Sequence, residues 1–134
     1  MTDSAACPCG RTDAKKRALV YLDCCGRFID HFDVTPAPDA EHLMRSRYSA
    51  FVRERVDYLL ATWHRSTRPD SLSFEAGAKW LGLEVREHKV KGADTAEVEF
   101  VARYRMGGQA VRLHERSRFV REGERWFYVD GDQR

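Results

Sequence analysis

The sequence predicts an α+β fold. N-terminal helices close one face of a curved four-stranded antiparallel sheet, and a small cysteine-bearing knuckle precedes them. Three observations lead there. Between Glu41 and His64, apolar residues recur at helix spacing. From Trp80 onward the apolar period falls to two. All four cysteines fall before Gly26, so the first segment has a task of its own.

At 134 residues the chain is long enough for one real core. Charged residues make up 33% and hydrophobic ones 43%, an ordinary globular balance. A formal charge of +2 is too close to neutral to argue for nucleic acid by itself. No apolar run approaches the ~18 residues of a membrane span, and the first residues carry no apolar stretch before a cleavage site. The expectation is a cytoplasmic protein with reduced thiols.

The first element is residues 1–30. Cys7-Pro8-Cys9-Gly10 sets two thiols on one tight turn, and Cys24-Cys25-Gly26 supplies a second pair. Four thiolates satisfy the tetrahedral preference of Zn²⁺. The segment's large apolar residues are mainly Leu19, Val20, Tyr21 and Leu22, too few for an independent core, so bound metal would supply the missing folding energy. Two disulfides, or four unconnected thiols, are the alternatives; the compartment argues against the first. Arg11, Lys15, Lys16, Arg17 and Arg27 share this segment. They either stabilise thiolates or form a basic surface for an acidic partner or RNA phosphates.

Residues 31–39 carry Pro36 and Pro38 and read as a linker to the main domain, residues 40–134. Asp39 is the expected N-cap of a helix. On that helix Leu43, Met44, Phe51 and Val52 form the apolar stripe, and Arg45 and Arg47 are expected toward the polar side. A break near Arg53–Arg55 precedes a second helix from Val56 to His64, ended at the latest by Arg68-Pro69. Ser71 or Ser73 could cap a further short helix carrying Phe74 and Ala78.

Four strands follow. Leu81, Leu83 and Val85 are expected on one face of the first, and Ala96, Val98, Phe100, Ala102 and Tyr104 on one face of the second. Gly107-Gly108 is a hairpin turn that needs positive φ. If Val111, Leu113 and Phe119 of the third strand face inward, alternation brings Glu115 and Ser117 in with them and turns Arg116 and Arg118 out.

CPCG followed by CCG resembles the SEC-C motif, named for the zinc-binding tail of the SecA translocation ATPase. Carried over by position, the resemblance implies the ligands Cys7, Cys9, Cys24 and Cys25. The Ser usual after CPCG is Arg11 here, and residues 10–23 make the gap between pairs longer than the motif's usual spacing. Helices followed by a curved meander resemble the NTF2-like cone. EHLMRSRYSAFV, DYLLATWH, WLGLEV, FVAR, ERSRF and WFYVDG are similar to the YchJ-like bacterial proteins, which join SEC-C knuckles to an NTF2-like domain. The resemblance implies a fold and a zinc site but no particular reaction.

Two functions follow as expectations. The first is a non-catalytic adaptor whose knuckle contacts a protein or ribonucleoprotein, with the cone as scaffold or homodimer surface; RNA binding through the basic knuckle is its variant. The second is an NTF2-like small-molecule binder or enzyme. Its cone would be lined by Tyr48, Trp63, His64, Tyr104 and Glu115, and His64 and Glu115 would be the candidate acid–base pair. The sequence holds no Ser-His-Asp order, Gly-rich phosphate loop or HExxH.

Overall fold

The computed structural model describes residues 5–74 and 76–134. The first four residues of the expected 1–30 segment, and Glu75 of the loop before the sheet, lie outside these. A 3-10 turn, Tyr21–Asp23, and a one-turn helix α1, Gly26–Ile29, follow the first cysteine pair. Then come α2, Ala40–Val52, and α3, Val56–Ala61. The strands are β1, Lys79–Val90; β2, Thr95–Met106; β3, Gln109–Glu122; and β4, Arg125–Gln133. They pair in the order β1-β2-β3-β4 as an antiparallel meander.

Asp39 caps α2 as expected, its carboxylate accepting from the backbone N–H of His42 at 2.8 Å. The helix breaks at Glu54, whose φ of 57° lies in the left-handed region. The second helix is shorter than its apolar spacing suggested. The Thr62 hydroxyl turns back onto the Tyr58 carbonyl at 2.8 Å, and the chain leaves the helix there. Residues 62–64 instead run beside β4, with a parallel bridge between Trp63 and Tyr128. No helix forms among the described residues of 71–78; Gly77, at φ +85°, turns the chain into β1 instead.

Three irregularities curl the sheet: between Trp80 and Gly82, between Val85 and Glu87, and between Arg118 and Phe119. The first corrects the expected phase of β1. Trp80 pairs with Tyr104 and Leu83 with Ala102, so Leu81 is the bulged residue and stands 47% exposed. On β2 the predicted inward set holds, with Ala96, Val98, Phe100 and Ala102 all buried. Gly107 and Gly108 both have positive φ, as their two-residue hairpin requires.

β3 divides its residues as strict alternation demands. Arg116 faces outward, where it bonds Glu87, Glu97 and Glu99, and Arg118 bonds Asp130 and Asp132. Glu115 and Ser117 face the helices.

α2 is buried on two sides, which one apolar stripe cannot convey. Met44 and Tyr48 line the space under the sheet, Ser46 Oγ lies 2.7 Å from the Tyr58 hydroxyl of α3, and Ser49 Oγ lies 3.5 Å from Cys7 Sγ, so the cysteine segment seats against a small side chain of the helix. Tyr21, Phe28 and Ile29 join the same buried cluster, so the cysteine segment shares the main core. Further ties are the Asp30–Arg55 ion pair and the hydrogen bonds from Arg125 to the carbonyls of Phe32 and Asp33.

Candidate functional site

Two sites lie on opposite flanks of α2. On one, the Sγ atoms of Cys7, Cys9, Cys24 and Cys25 all lie within 4.8 Å of one another, and all four residues are buried. None forms a disulfide. The Cys9 and Cys24 sulfurs are 3.6 Å apart. A disulfide would need about 2.05 Å, whereas the edge of a tetrahedron with ~2.3 Å Zn–S bonds is ~3.8 Å. The donor set therefore fits a tetrathiolate metal. Local structure builds it: Gly10, at φ +77°, turns the first pair, and a bridge between Ala6 and Val20 lays it beside the second. Gly26 follows Cys25 because a Cβ there would lie 2.8 Å from the Tyr21 carbonyl oxygen and 2.7 Å from a ring carbon.

Four thiols this close cannot ionise independently. Hydrogen bonds from Cys24, Cys25 and Cys9 pull Cys7 far below the ordinary thiol range, and that from Cys25 brings Cys24 to about 7. Cys9 and Cys25 are pushed up, by hydrogen bonding to Cys24 first and by burial as well. A divalent cation is what would let all four become thiolates together. α2 also supports the cluster. Ser49 Oγ lies 3.5 Å from Cys7 Sγ, and Arg45 Nη1 donates to the Cys9 carbonyl at 3.1 Å.

On the other flank, helices and curled sheet enclose a cavity of about 380 Å³. Of the residues named from the sequence, Tyr48, Trp63, Tyr104 and Glu115 line it. His64 does not. Residues alternate along the extended segment beside β4, so Trp63 turns in and His64 turns out. Its Nε2 lies 2.9 Å from Glu122 Oε2 and its Nδ1 2.7 Å from Ser66 Oγ. The His64–Glu115 acid–base pair is therefore not assembled. Glu115 Oε2 instead accepts from Ser117 Oγ at 2.7 Å and from the Tyr128 hydroxyl at 3.5 Å. Gly131 makes room for that carboxylate: a Cβ there would collide with it, lying 2.8 Å from Cδ.

The residue sequence reasoning missed is Arg47. Expected on the polar side of α2, it is 6% exposed and lines the cavity. Its Nη1 donates to the Leu59 carbonyl at 2.8 Å and to Thr62 Oγ1 at 2.7 Å. Its guanidinium carbon lies 4.7 Å from the Tyr128 ring centroid and 5.1 Å from that of Trp63. Burial brings its pKa down to about 10, with the negative potentials of Tyr128, Tyr58 and Glu115 opposing, so it stays cationic at neutral pH. The signal was in the spacing: Arg47 stands four residues from both Leu43 and Phe51, on the apolar row.

This combination, a buried four-sulfur cluster on the first turns of an α+β domain whose curled sheet holds a cavity, defines a cysteine knuckle joined to an NTF2-like cone. The family described as YchJ, middle NTF2-like domain, matches residues 39–131. The chain belongs to this YchJ-like family. It is 66% identical over 131 residues to a UPF0225 protein of Polaromonas sp. (strain JS666 / ATCC BAA-500), covering 97% of this chain and 94% of that one. Two solved structures are similar. A SEC-C motif containing protein from Psychrobacter arcticus aligns with a TM-score of 0.80 at 32% identity, over 96% of this chain and 82% of that one. A SEC-C motif containing protein from Rhodopseudomonas palustris aligns at 0.79 and 30%, over 95% and 97%. No helix among the described residues is long and apolar enough to cross a membrane.

Proposed function

We propose that this is a zinc-stapled protein that binds a small molecule in its cone. Zn²⁺ would be held by Cys7, Cys9, Cys24 and Cys25, closing the N-terminal segment onto α2 and so bracing one wall of the cavity. The observation that carries the ligand half is the cavity itself, about 380 Å³ of apolar-walled space onto which Arg47, Glu115 and Ser117 open. That volume sits at the lower end of the ~300–1,000 Å³ typical of small-molecule sites. With His64 engaged outside, the reading is binding rather than acid–base chemistry.

The test is a fragment screen on zinc-loaded, ¹⁵N-labelled protein. Fragments should shift the amides of Phe100, Ala102 and Leu113 and leave those of Arg103 and Arg112 unmoved. A cone that no fragment enters contradicts the reading.

The adaptor reading keeps one specific support. Leu22 is 48% exposed, and Lys15, Lys16 and Arg17 of the same segment are also exposed, so the outer knuckle offers an apolar residue and a cationic set to a protein or ribonucleoprotein. Binding to a homopolymeric RNA that falls steeply with salt would favour its RNA form. Salt-insensitive or absent binding would count against that form.

A further inference from the structure

We infer that the cone takes a small monocarboxylate with an apolar or aromatic body, its carboxylate seated on Arg47. This rests on the cone being a ligand site, as proposed above. Arg47 is a buried cation whose hydrogen bonds all come from Nη1. The N–H groups on Nε and Nη2 have no acceptor among the described residues, and neither nitrogen is among the orphaned atoms sealed from solvent. Arg47 lines the cavity, and this edge of its guanidinium, opposite the Nη1 bonds, is the one we take to face it.

A buried charge without a counter-ion is costly, and protein sites keep one where a partner of opposite sign arrives. Glu115 is not that partner. It makes no ion pair with Arg47, and its Oε2 is already engaged by Ser117 and Tyr128.

The free N–H groups lie in the plane of a rigid fork, the geometry that meets a carboxylate edge to edge. The fork is preorganised, since Leu59 and Thr62 hold its far side and the Tyr128 and Trp63 rings flank it. A single negative charge suits the site better than two, because the Glu115 carboxylate faces the same space. A phosphate dianion would meet that repulsion with one guanidinium to offset it. The body of the ligand should be largely apolar, for Met44, Phe51, Trp80, Phe100, Leu113 and Phe119 make much of the remaining wall, while Glu54 and Ser73, which also line the cavity, are exposed. Among these, Phe51 and Trp80 are 6.0 Å apart between ring centroids, an aromatic surface for a planar group.

The experiment compares three probes of one body on the full-length, zinc-loaded protein: 3-phenylpropanoate, 3-phenylpropanamide and 3-phenylpropylamine. Binding is followed by ¹⁵N amide shifts up to about 10 mM. The acid should bind about tenfold or more tighter than the other two, shifting Ala102 and Leu113. Arg47→Met should abolish that preference, and Arg47→Lys, a point charge without the fork, should restore part of it. If Arg47→Met does not fold, the ranking of the three probes on the unmodified protein still decides. Equal or tighter binding of the amide or amine in the cone overturns the carboxylate assignment and leaves the cone as a ligand site. If no probe shifts cavity amides, the cone reading falls with it.

Discussion

Gly131→Ala tests how tightly the Glu115 carboxylate is packed against β4. Gly131 pairs with Ser117 and lies under the Glu115 carboxyl, 2.8 Å from Cδ and 3.0 Å from Cγ at the position a Cβ would take. Its φ is not in the left-handed region, so backbone strain is no part of the penalty. The methyl must displace the carboxylate, and displacement breaks the 2.7 Å bond from the hydroxyl of Ser117, a residue only 2% exposed. Overpacking costs about 1–3 kcal/mol, and an orphaned buried hydroxyl adds to it; the lower chain entropy of Ala returns ~0.4–1 kcal/mol. A net loss of about 1–3 kcal/mol lowers Tm by about 4–11 °C in a chain this size, at ~2.1 cal/mol/K of unfolding entropy per residue. The assay is calorimetry in a double-mutant cycle with Glu115→Ala. In that background the three atoms nearest the added methyl, all of Glu115, are gone, and the methyl should change stability by less than ~0.5 kcal/mol. Gly131→Ala that is harmless alone, or equally harmful without Glu115, would refute the reasoning.

Gly26→Ala should cost about 1–3 kcal/mol, because the Tyr21 carbonyl oxygen is backbone and cannot swing aside; denaturant midpoints read it, and a neutral result would contradict the packing. Asp39→Ala should cost about 1 kcal/mol at pH 7 through the lost cap. Burial opposes charge on Asp39, but the His42 hydrogen bonds outweigh it and hold its pKa at about 2 against an ordinary 3.8. The folded value lies below the unfolded one, so this stability is present above pH ~4 and drains away as pH falls toward 2. The gap between wild type and variant should narrow over that window, and a constant gap would sink the assignment. Cys24→Ser should lower zinc content and open amide exchange at Tyr21, Ser49 and Ala50 while Val98 and Phe119 stay protected. Equal loss of protection throughout would show that the staple and sheet unfold together.

The strands were legible because one face of the sheet is polar, so alternation reads directly, and turns such as Gly107-Gly108 announce themselves. The four cysteines were legible as a cluster because they are concentrated in one segment. What sequence hid has one physical source: α2 is covered on two sides. A helix between two layers is buried beyond its apolar stripe, so Arg47 passed for a polar-side residue although it is buried, as are Ser46 and Ser49. The Trp80–Gly82 bulge was invisible for a related reason. Alternation cannot tell that one residue, Leu81, has been skipped. His64 was misplaced through the helix end, where the Thr62 hydroxyl, rather than apolar spacing, decided where α3 stops.

The central claim is that four sulfurs of the first segment share one metal and fasten α2 in place. X-ray absorption at the zinc edge, on protein purified without chelator, tests it most directly. The account predicts about one zinc per chain with four sulfur neighbours at ~2.3 Å and no nitrogen or oxygen. A first shell containing nitrogen or oxygen would contradict it, as would a folded, metal-free protein whose four thiols all react with an alkylating reagent.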